Sequence, residues 1–133
     1  MKPKGRILLV DDDLDFLEMH KAVLVNHGYE VLTAASAQEG LEKVRAEMPD
    51  LIVLDLMMEK HDAGFSFSKQ IKNDPLFKRI PILMVTAVAD ATGYKFSLER
   101  DGYWMKTDGF LDKPVEPSVL IGKVEKLLEQ KEE

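Results

Sequence analysis

The sequence predicts an α/β protein with a parallel sheet, because short apolar runs alternate with segments of helical periodicity. Four of these runs lead into polar residues: residues 7–10 precede Asp11 and Asp12, residues 51–54 precede Asp55, residues 82–85 precede Thr86, and residues 110–111 shortly precede Lys113. Ligands of parallel sheets bind at the carboxyl ends of the strands. The sequence therefore places three carboxylates, a hydroxyl and an ammonium group in one crevice, which suggests a divalent cation and a phosphoryl group.

The first half of the chain contains two strand–helix units. After residues 7–10, apolar residues recur at helical spacing, namely Phe16, Leu17, Met19, Val23 and Leu24. Asp13 or Asp15 is suited to the first turn of this helix, and Gly28 supplies its stop. Residues 31–34 form the next strand, and Ser36 with Glu39 has the capping-box spacing that begins a second helix. The chain therefore begins with a strand–helix–strand–helix pattern.

The second half continues the alternation. Pro49–Asp50 ends the second helix, the third strand reaches Asp55, and a loop runs from Glu59 to Gly64. Phe67 and Ile71 mark a third helix that Asp74–Pro75 stops. A fourth strand follows Pro81, residues 87–108 indicate an irregular or shortened helix, and a last helix carries an apolar stripe made of Leu120, Val124, Leu127 and Leu128. Five strands alternating with helices predict a single doubly wound (βα)5 sandwich with right-handed crossovers.

Composition narrows the class of protein. The 133 residues are 45% hydrophobic, which supports one well-buried core and a single domain over residues 1–133. The formal net charge of −6 argues against nucleic acid as a direct partner. Without cysteine there is neither a disulfide framework nor a thiolate metal site. The basic start of the chain has no long apolar stretch after it, so we expect a soluble cytoplasmic protein without membrane insertion.

The crevice residues suit phosphoryl chemistry. Three carboxylates repel one another at close range unless a cation is present, and Mg²⁺ prefers such oxygen ligands. Lys113 could neutralise Asp55 when nothing is bound. Asp55 is then a candidate nucleophile, since carboxylates form acyl phosphates when cationic donors hold the incoming group in line. Thr86 would donate a hydrogen bond to a phosphoryl oxygen.

In their order along the chain, these residues resemble the receiver domain of two-component response regulators, the family that includes chemotaxis regulators. The resemblance covers essentially the whole chain and rests on four motifs: ILLVDDD at 7–13, DLIVLDLMM at 50–58, VTA at 85–87 and FLDKP at 110–114. It implies a flavodoxin-like fold with a five-stranded parallel sheet in 2-1-3-4-5 order. Because this resemblance takes up essentially the whole chain, we expect no output domain in this chain.

Carried over by position, the resemblance implies an acceptor and a metal site. Asp55 resembles the phosphoacceptor, and Asp12 and the backbone carbonyl of Met57 resemble Mg²⁺ ligands beside it. Asp11 resembles the acidic partner that acts mainly through a metal-bound water.

The resemblance also implies which residues bind the phosphoryl group and which change position when it is present. Lys113 resembles the phosphoryl-binding lysine, and Thr86 the switch hydroxyl. Phe110 stands where the family keeps its aromatic switch residue, although an aromatic residue beside a strand also packs in a core.

Two segments depart from the family pattern. Residues 59–64 replace the usual proline and Met-Asp-Gly sequence and are one residue longer. Between Thr86 and Lys113 the chain is about five residues longer than usual, an insertion whose closure cost is small. The phosphorylation site therefore fits the family better than the face formed by residues 87–108.

The function these features predict is a phosphorylation-controlled switch. A sensor histidine kinase or phosphotransfer protein would phosphorylate Asp55 in a Mg²⁺-dependent step, and an unidentified downstream protein would bind the new conformation. The domain would modify itself rather than turn over a substrate, so it is not an ordinary enzyme. The chain could be a stand-alone relay protein or part of a larger protein.

Two alternatives remain open. A small haloacid-dehalogenase-type phosphohydrolase would use Asp11 as nucleophile, with Asp13, Thr86 and Lys113 in that family's order. Against it, no acidic pair follows Lys113 and the chain leaves no room for a cap. A degenerate receiver would bind partners without phosphorylation, but the acidic set is intact.

Overall fold

The computed structural model describes residues 5–55, 63–87, 109–113 and 115–132. Its strands are β1 (Arg6–Val10), β2 (Glu30–Ala34), β3 (Leu51–Asp55), β4 (Ile82–Ala87) and β5 (Gly109–Lys113). Its helices are α1 (Leu14–Asn26), α2 (Ala37–Glu47), α3 (Ala63–Asn73) and α4 (Pro117–Glu132). The strands form one parallel sheet in the order β2-β1-β3-β4-β5, which confirms the predicted topology. In the described parts of the chain, no helix is both long and apolar enough to cross a membrane.

Alternating side chains of the strands fill two separate cores. Ile7 and Leu9 of β1 lie in the core beneath α1 and α4, whereas Leu8 and Val10 lie in the core beneath α2 and α3. The inner strands are buried on both faces, which is why they read in the sequence as continuous apolar runs. The sheet is therefore covered on both sides, as the doubly wound prediction requires.

The amino-terminal edge of the sheet is fixed by Arg6. Its backbone N–H donates to Asp50 Oδ2 at 2.8 Å, while the Asp50 N–H donates to the Arg6 carbonyl at 2.7 Å. The Arg6 guanidinium reaches Glu30 Oε2 at 3.0 Å and the Glu47 carbonyl, at the end of α2, at 2.8 Å. One residue therefore joins β1 to β2, to α2 and to the start of β3.

The helix ends follow the predicted signals, with one addition. Ser36 Oγ accepts from the Glu39 N–H at 3.1 Å, as in a capping box, but the Glu39 carboxylate accepts from the N–H of Ala35 rather than of Ser36. Gly28 takes the left-handed conformation, with a φ of 92°. Met48 ends α2 with a φ of 46°, a conformation that favours glycine and that the sequence did not indicate.

One predicted boundary needs correction. The loop expected to run to Gly64 ends before Ala63, where α3 begins, and its residues 59–62 lie outside the described part of the chain. Met19 shares the helical spacing of the α1 core residues but is 59% exposed, so it is not part of the core. The expected irregular segment 87–108 lies outside the described residues except for Ala87, which belongs to β4.

A glycine permits the close approach of α2 to its neighbours. A Cβ atom at Gly40 would lie 2.8 Å from Phe67 Cε2 and 3.2 Å from Val10 Cγ2. Phe67 is fully buried and cannot swing into solvent. Contact between α2, α3 and β1 therefore depends on the missing side chain at this position.

We expect Gly40→Ala to lower the free energy of unfolding by about 1–2 kcal/mol, because overpacking outweighs the better helix propensity of alanine. Gly122→Ala is the matched control, since Gly122 also lies in a helix but nothing stands within 4 Å of its added Cβ. That control should gain up to about 1 kcal/mol. Urea unfolding measures both, and equal stabilisation by the two substitutions would refute the close packing.

Candidate functional site

The register of the sheet brings two aspartates together. Val10 of β1 pairs with Leu54 of β3. The next residues along these two strands are Asp11, which directly follows β1, and Asp55, the last residue of β3. The two aspartates therefore lie at the same level of neighbouring parallel strands. Each continues the alternation that directs Leu9 and Val53 to the α1 and α4 face.

The cluster contains all three predicted carboxylates. Asp11, Asp12 and Asp55 each offer a carboxylate oxygen, and these oxygens lie within 4.8 Å of one another. Asp11 is 1% exposed and Asp55 5% exposed, whereas Asp12 is exposed. The site therefore has two carboxylates recessed at the edge of the sheet and one that faces solvent.

The turn after β1 is held by hydrogen bonds to aspartate side chains. The Asp11 N–H donates to the Ala34 carbonyl at 3.0 Å, and Asp11 Oδ1 accepts from the Asp13 N–H at 2.9 Å. Asp13 is the N-cap of α1, where its Oδ1 accepts from the N–H groups of Asp15 and Phe16 at 3.0 and 3.2 Å. Of the two residues suggested for this role, Asp13 is thus the cap.

The helix that follows contributes to the electrostatics of the site. The amino terminus of α1 comes directly after the acidic turn, and helix amino termini carry partial positive charge. This charge favours an anionic neighbour, although it is far smaller than the charge of three carboxylates. The sequence indicated a cap in this region but not the Asp11-to-Asp13 bond that links the cap to the cluster.

Of the remaining predicted site residues, the structure describes the backbones of Thr86, Phe110 and Lys113 but not their side chains. Thr86 comes one residue after Val85, the partner of Asp55, and Thr86 itself pairs with Asp112. Lys113, at the end of β5, pairs with Ala87. The backbone of Phe110 is in β5, but its side chain, like those of Thr86 and Lys113, is outside the described part, as is Met57 altogether.

The donor set is suited to a hard divalent cation. All three groups are carboxylates, and together they concentrate negative charge in a space that a single ion can bridge. Their geometry also leaves one exposed member through which a ligand can reach the recessed pair. What the described residues provide is an acidic cluster at the carboxyl edge of β1 and β3.

This sheet order and an acidic cluster at the ends of β1 and β3 define a receiver-type domain. The sequence model for the response regulator receiver domain matches residues 7–125, and the chain belongs to that family. This confirms the resemblance drawn from the four motifs. It gives no support to the haloacid dehalogenase alternative.

Individual relatives agree with the family assignment. The chain is 35% identical over 127 residues to the alkaline phosphatase synthesis transcriptional regulatory protein PhoP of Bacillus subtilis, covering 96% of this chain and 50% of that protein. It is 33% identical over 123 residues to the response regulator PleD of Caulobacter vibrioides, covering 92% of this chain and 26% of that protein. The chain thus spans about half or less of the length of these curated relatives.

A solved structure shows the same architecture. The CheY-like response regulator receiver domain protein from Methanospirillum hungatei superposes with a TM-score of 0.82 at 32% identity. The match covers 99% of this chain and 98% of that one. The likeness therefore extends over the whole receiver fold.

We expect Asp13→Ala to lower the free energy of unfolding by about 1 kcal/mol, because α1 loses its N-cap. Asp13→Asn retains an oxygen that accepts the same hydrogen bonds and should lose clearly less. Chemical denaturation of the two variants makes the comparison. Equal losses would show that the charge of Asp13, rather than its capping oxygen, stabilises the helix.

Proposed function

We propose that this receiver domain accepts a phosphoryl group on Asp55 and that phosphorylation switches its binding to a partner. The observation that carries this proposal is the three-carboxylate cluster at the ends of β1 and β3. Family membership supports the same role. The reaction is self-modification, since the domain's own side chain is the acceptor.

Asp55 is the best candidate for the acceptor because of its position in the sheet. It is the last residue of β3, which lies between β1 and β4, so it has Asp11 on one side and Val85, the residue before Thr86, on the other. A carboxylate oxygen of Asp55 would attack phosphorus, and the bond from phosphorus to the donor's imidazole nitrogen would break.

The proposed cation site consists of Asp11, Asp12, Asp55 and the backbone carbonyl of Met57. Mg²⁺ bound there would supply positive charge that offsets the repulsion between the carboxylates and the phosphoryl oxygens. Asp12 and Asp55 would be direct ligands, and Asp11 would act mainly through water. The hydrogen bond from the Asp13 N–H orients the Asp11 carboxylate for this role.

Two further residues would bind the phosphoryl group. We assign the ammonium of Lys113 to one phosphoryl oxygen and the hydroxyl of Thr86 to another. The backbones of these two residues lie near the ends of β4 and β5, and both strands are on the side of β3 away from β1. A shift of Thr86, accompanied by Phe110, would then transmit the change in charge to the surface.

The proposal extends to partners and location. A sensor histidine kinase or phosphotransfer protein would donate the phosphoryl group, and a downstream protein would bind the phosphorylated form. Both the donor and the absence of cysteine fit a cytoplasmic location.

Incubation with Mg²⁺ and acetyl phosphate tests the acceptor. We expect intact mass to increase by one phosphoryl group in the wild type, with an acid-stable and base-labile bond. The adduct should be absent from Asp55→Asn, which lacks the nucleophilic oxygen. Glu42→Gln, an exposed carboxylate of α2 outside the cluster, is the matched control and should be modified like the wild type.

Other outcomes separate the alternatives. An adduct that survives in Asp55→Asn but is lost in Asp11→Asn, together with continuous phosphate release, would replace the receiver mechanism by a phosphohydrolase mechanism. No adduct in any folded variant would mean a degenerate receiver that binds without phosphorylation.

Metal binding should be visible as stabilisation. At a Mg²⁺ concentration one hundred times the dissociation constant, the native state should gain about 2.7 kcal/mol over the chelator-treated protein. Asp12→Asn should lose most of this gain, and because Asp12 is exposed the variant should still fold. Thermal unfolding of the wild type, Asp12→Asn and Glu42→Gln, each with Mg²⁺ and with chelator, measures this stabilisation. Undiminished stabilisation of Asp12→Asn would exclude Asp12 as a ligand.

A further inference from the structure

A groove of about 360 Å³ lies between α2, α3 and the segment that follows α3. Its lining includes apolar Leu41, Ile71, Pro75 and Phe77, together with the polar side chains of Arg45 and Asp74. Ile71 and Phe77 are buried and belong to the core beneath these helices. The groove is therefore an opening onto a rigid core, with polar side chains among its walls.

Two exposed apolar residues flank the groove. Leu76 is 73% exposed, and it stands between the lining residues Pro75 and Phe77. Met48 is 51% exposed and follows Arg45 by three residues, at the left-handed end of α2. Single exposed apolar residues are ordinary, but here two of them are close in sequence to residues that line one partly apolar groove, where they would add apolar area for a partner.

The segment that carries Leu76 is held in place by its own hydrogen bonds. Asp74 Oδ1 accepts from the Leu76 N–H at 2.9 Å, and the Phe77 N–H donates to the Asp74 carbonyl at 3.0 Å. Lys72 Nζ donates to the Ile80 carbonyl at 2.8 Å. A surface already ordered in this way loses little conformational entropy when a partner binds.

The charge around the groove is opposite to that of the whole protein. Residues 69–79 contain four basic side chains and one acidic one, and α2 contains two basic and three acidic ones. The two walls of the groove therefore carry a net charge of +2, although the chain has a formal net charge of −6. Arg45, Lys78 and Arg79 are exposed, and within the described residues none of them forms an ion pair. This basic surface favours an acidic occupant and disfavours a basic one.

The groove and the acidic cluster lie at opposite edges of the sheet. Because α2 and α3 follow parallel strands, both helices run back from the carboxyl edge, and residues 74–77 precede the start of β4. Asp55 ends β3 at the other edge. A partner in the groove would therefore leave the acidic cluster accessible.

We propose that this groove docks an acidic segment of a partner protein, with a bulky apolar side chain of that segment inserted between α2 and α3. The apolar lining receives the side chain, and the basic residues around it pair with the flanking carboxylates. Docking here is separate from the proposed phosphorylation of Asp55 and does not depend on it.

A random peptide library selected on the full chain tests the proposal. The affinity of each selected peptide is then measured for the wild type, for the double variant Arg45→Glu with Lys78→Glu, and for Leu76→Ser. We expect the peptides that these variants lose to be rich in Asp and Glu and to contain a large apolar residue. The charge-reversal variant should bind them at least about tenfold more weakly.

Lys126→Glu is the matched control, since Lys126 is an exposed lysine of α4 on the opposite face, and it should bind the peptides like the wild type. Amide chemical shifts should change at residues 41–48 and 70–80 and stay constant at Asp11 and Asp55. Circular dichroism establishes that each variant is folded.

The proposal is overturned if no selected peptide depends on the groove residues, or if those that do are basic or lack a large apolar residue. It is also overturned if sedimentation shows a wild-type dimer that Leu76→Ser dissociates, because a second copy would then be the occupant. Failure of Asp55 phosphorylation would leave these results unchanged, so the two proposals are tested independently.

Discussion

The register between β1 and β3 is the constraint on which the site depends. Side chains alternate across a sheet, so a slip of one residue would turn Asp11 away from Asp55 and reverse every core residue of β1. Val10 opposite Leu54 brings the two following aspartates level. At the far edge the reciprocal hydrogen bonds of Arg6 and Asp50 fix the same pair of strands. The register of β1 and β3 therefore brings Asp11 level with Asp55, and the turn after β1 adds Asp12 to the cluster.

The two cores make that register costly to change. Each inner strand is buried on both faces, so a slip of one residue would move the side chains of each core into the other core, against helices that they do not fit. On one face the packing is so close that Gly40 leaves no space for a methyl group. The two edges of the sheet carry different surfaces: the carboxylates lie at one, and the groove between α2 and α3 opens at the other.

Much of this architecture could be predicted from the sequence. The apolar runs located the strands, and the Ser36 and Gly28 signals located helix ends, because these features act locally. The acidic cluster was predictable because parallel strands bring their carboxyl ends together. Features that depend on tertiary contacts or on the exact path of a turn could not be predicted. These are the left-handed conformation of Met48, the exposure of Met19 and the hydrogen bond from the Asp13 N–H to Asp11. The groove was missed for the same reason, since its lining comes from two helices and a connecting segment.

We propose that the edge of the sheet assembles a cation site from Asp11, Asp12 and Asp55. Titration of the isotopically labelled protein with Mn²⁺, followed by amide line broadening, tests it most directly. Residues 11–13 and 55 should broaden first, and Mg²⁺ should reverse the effect by competition. Broadening that begins at other acidic residues, such as those of α4, or that Mg²⁺ does not reverse would contradict the account.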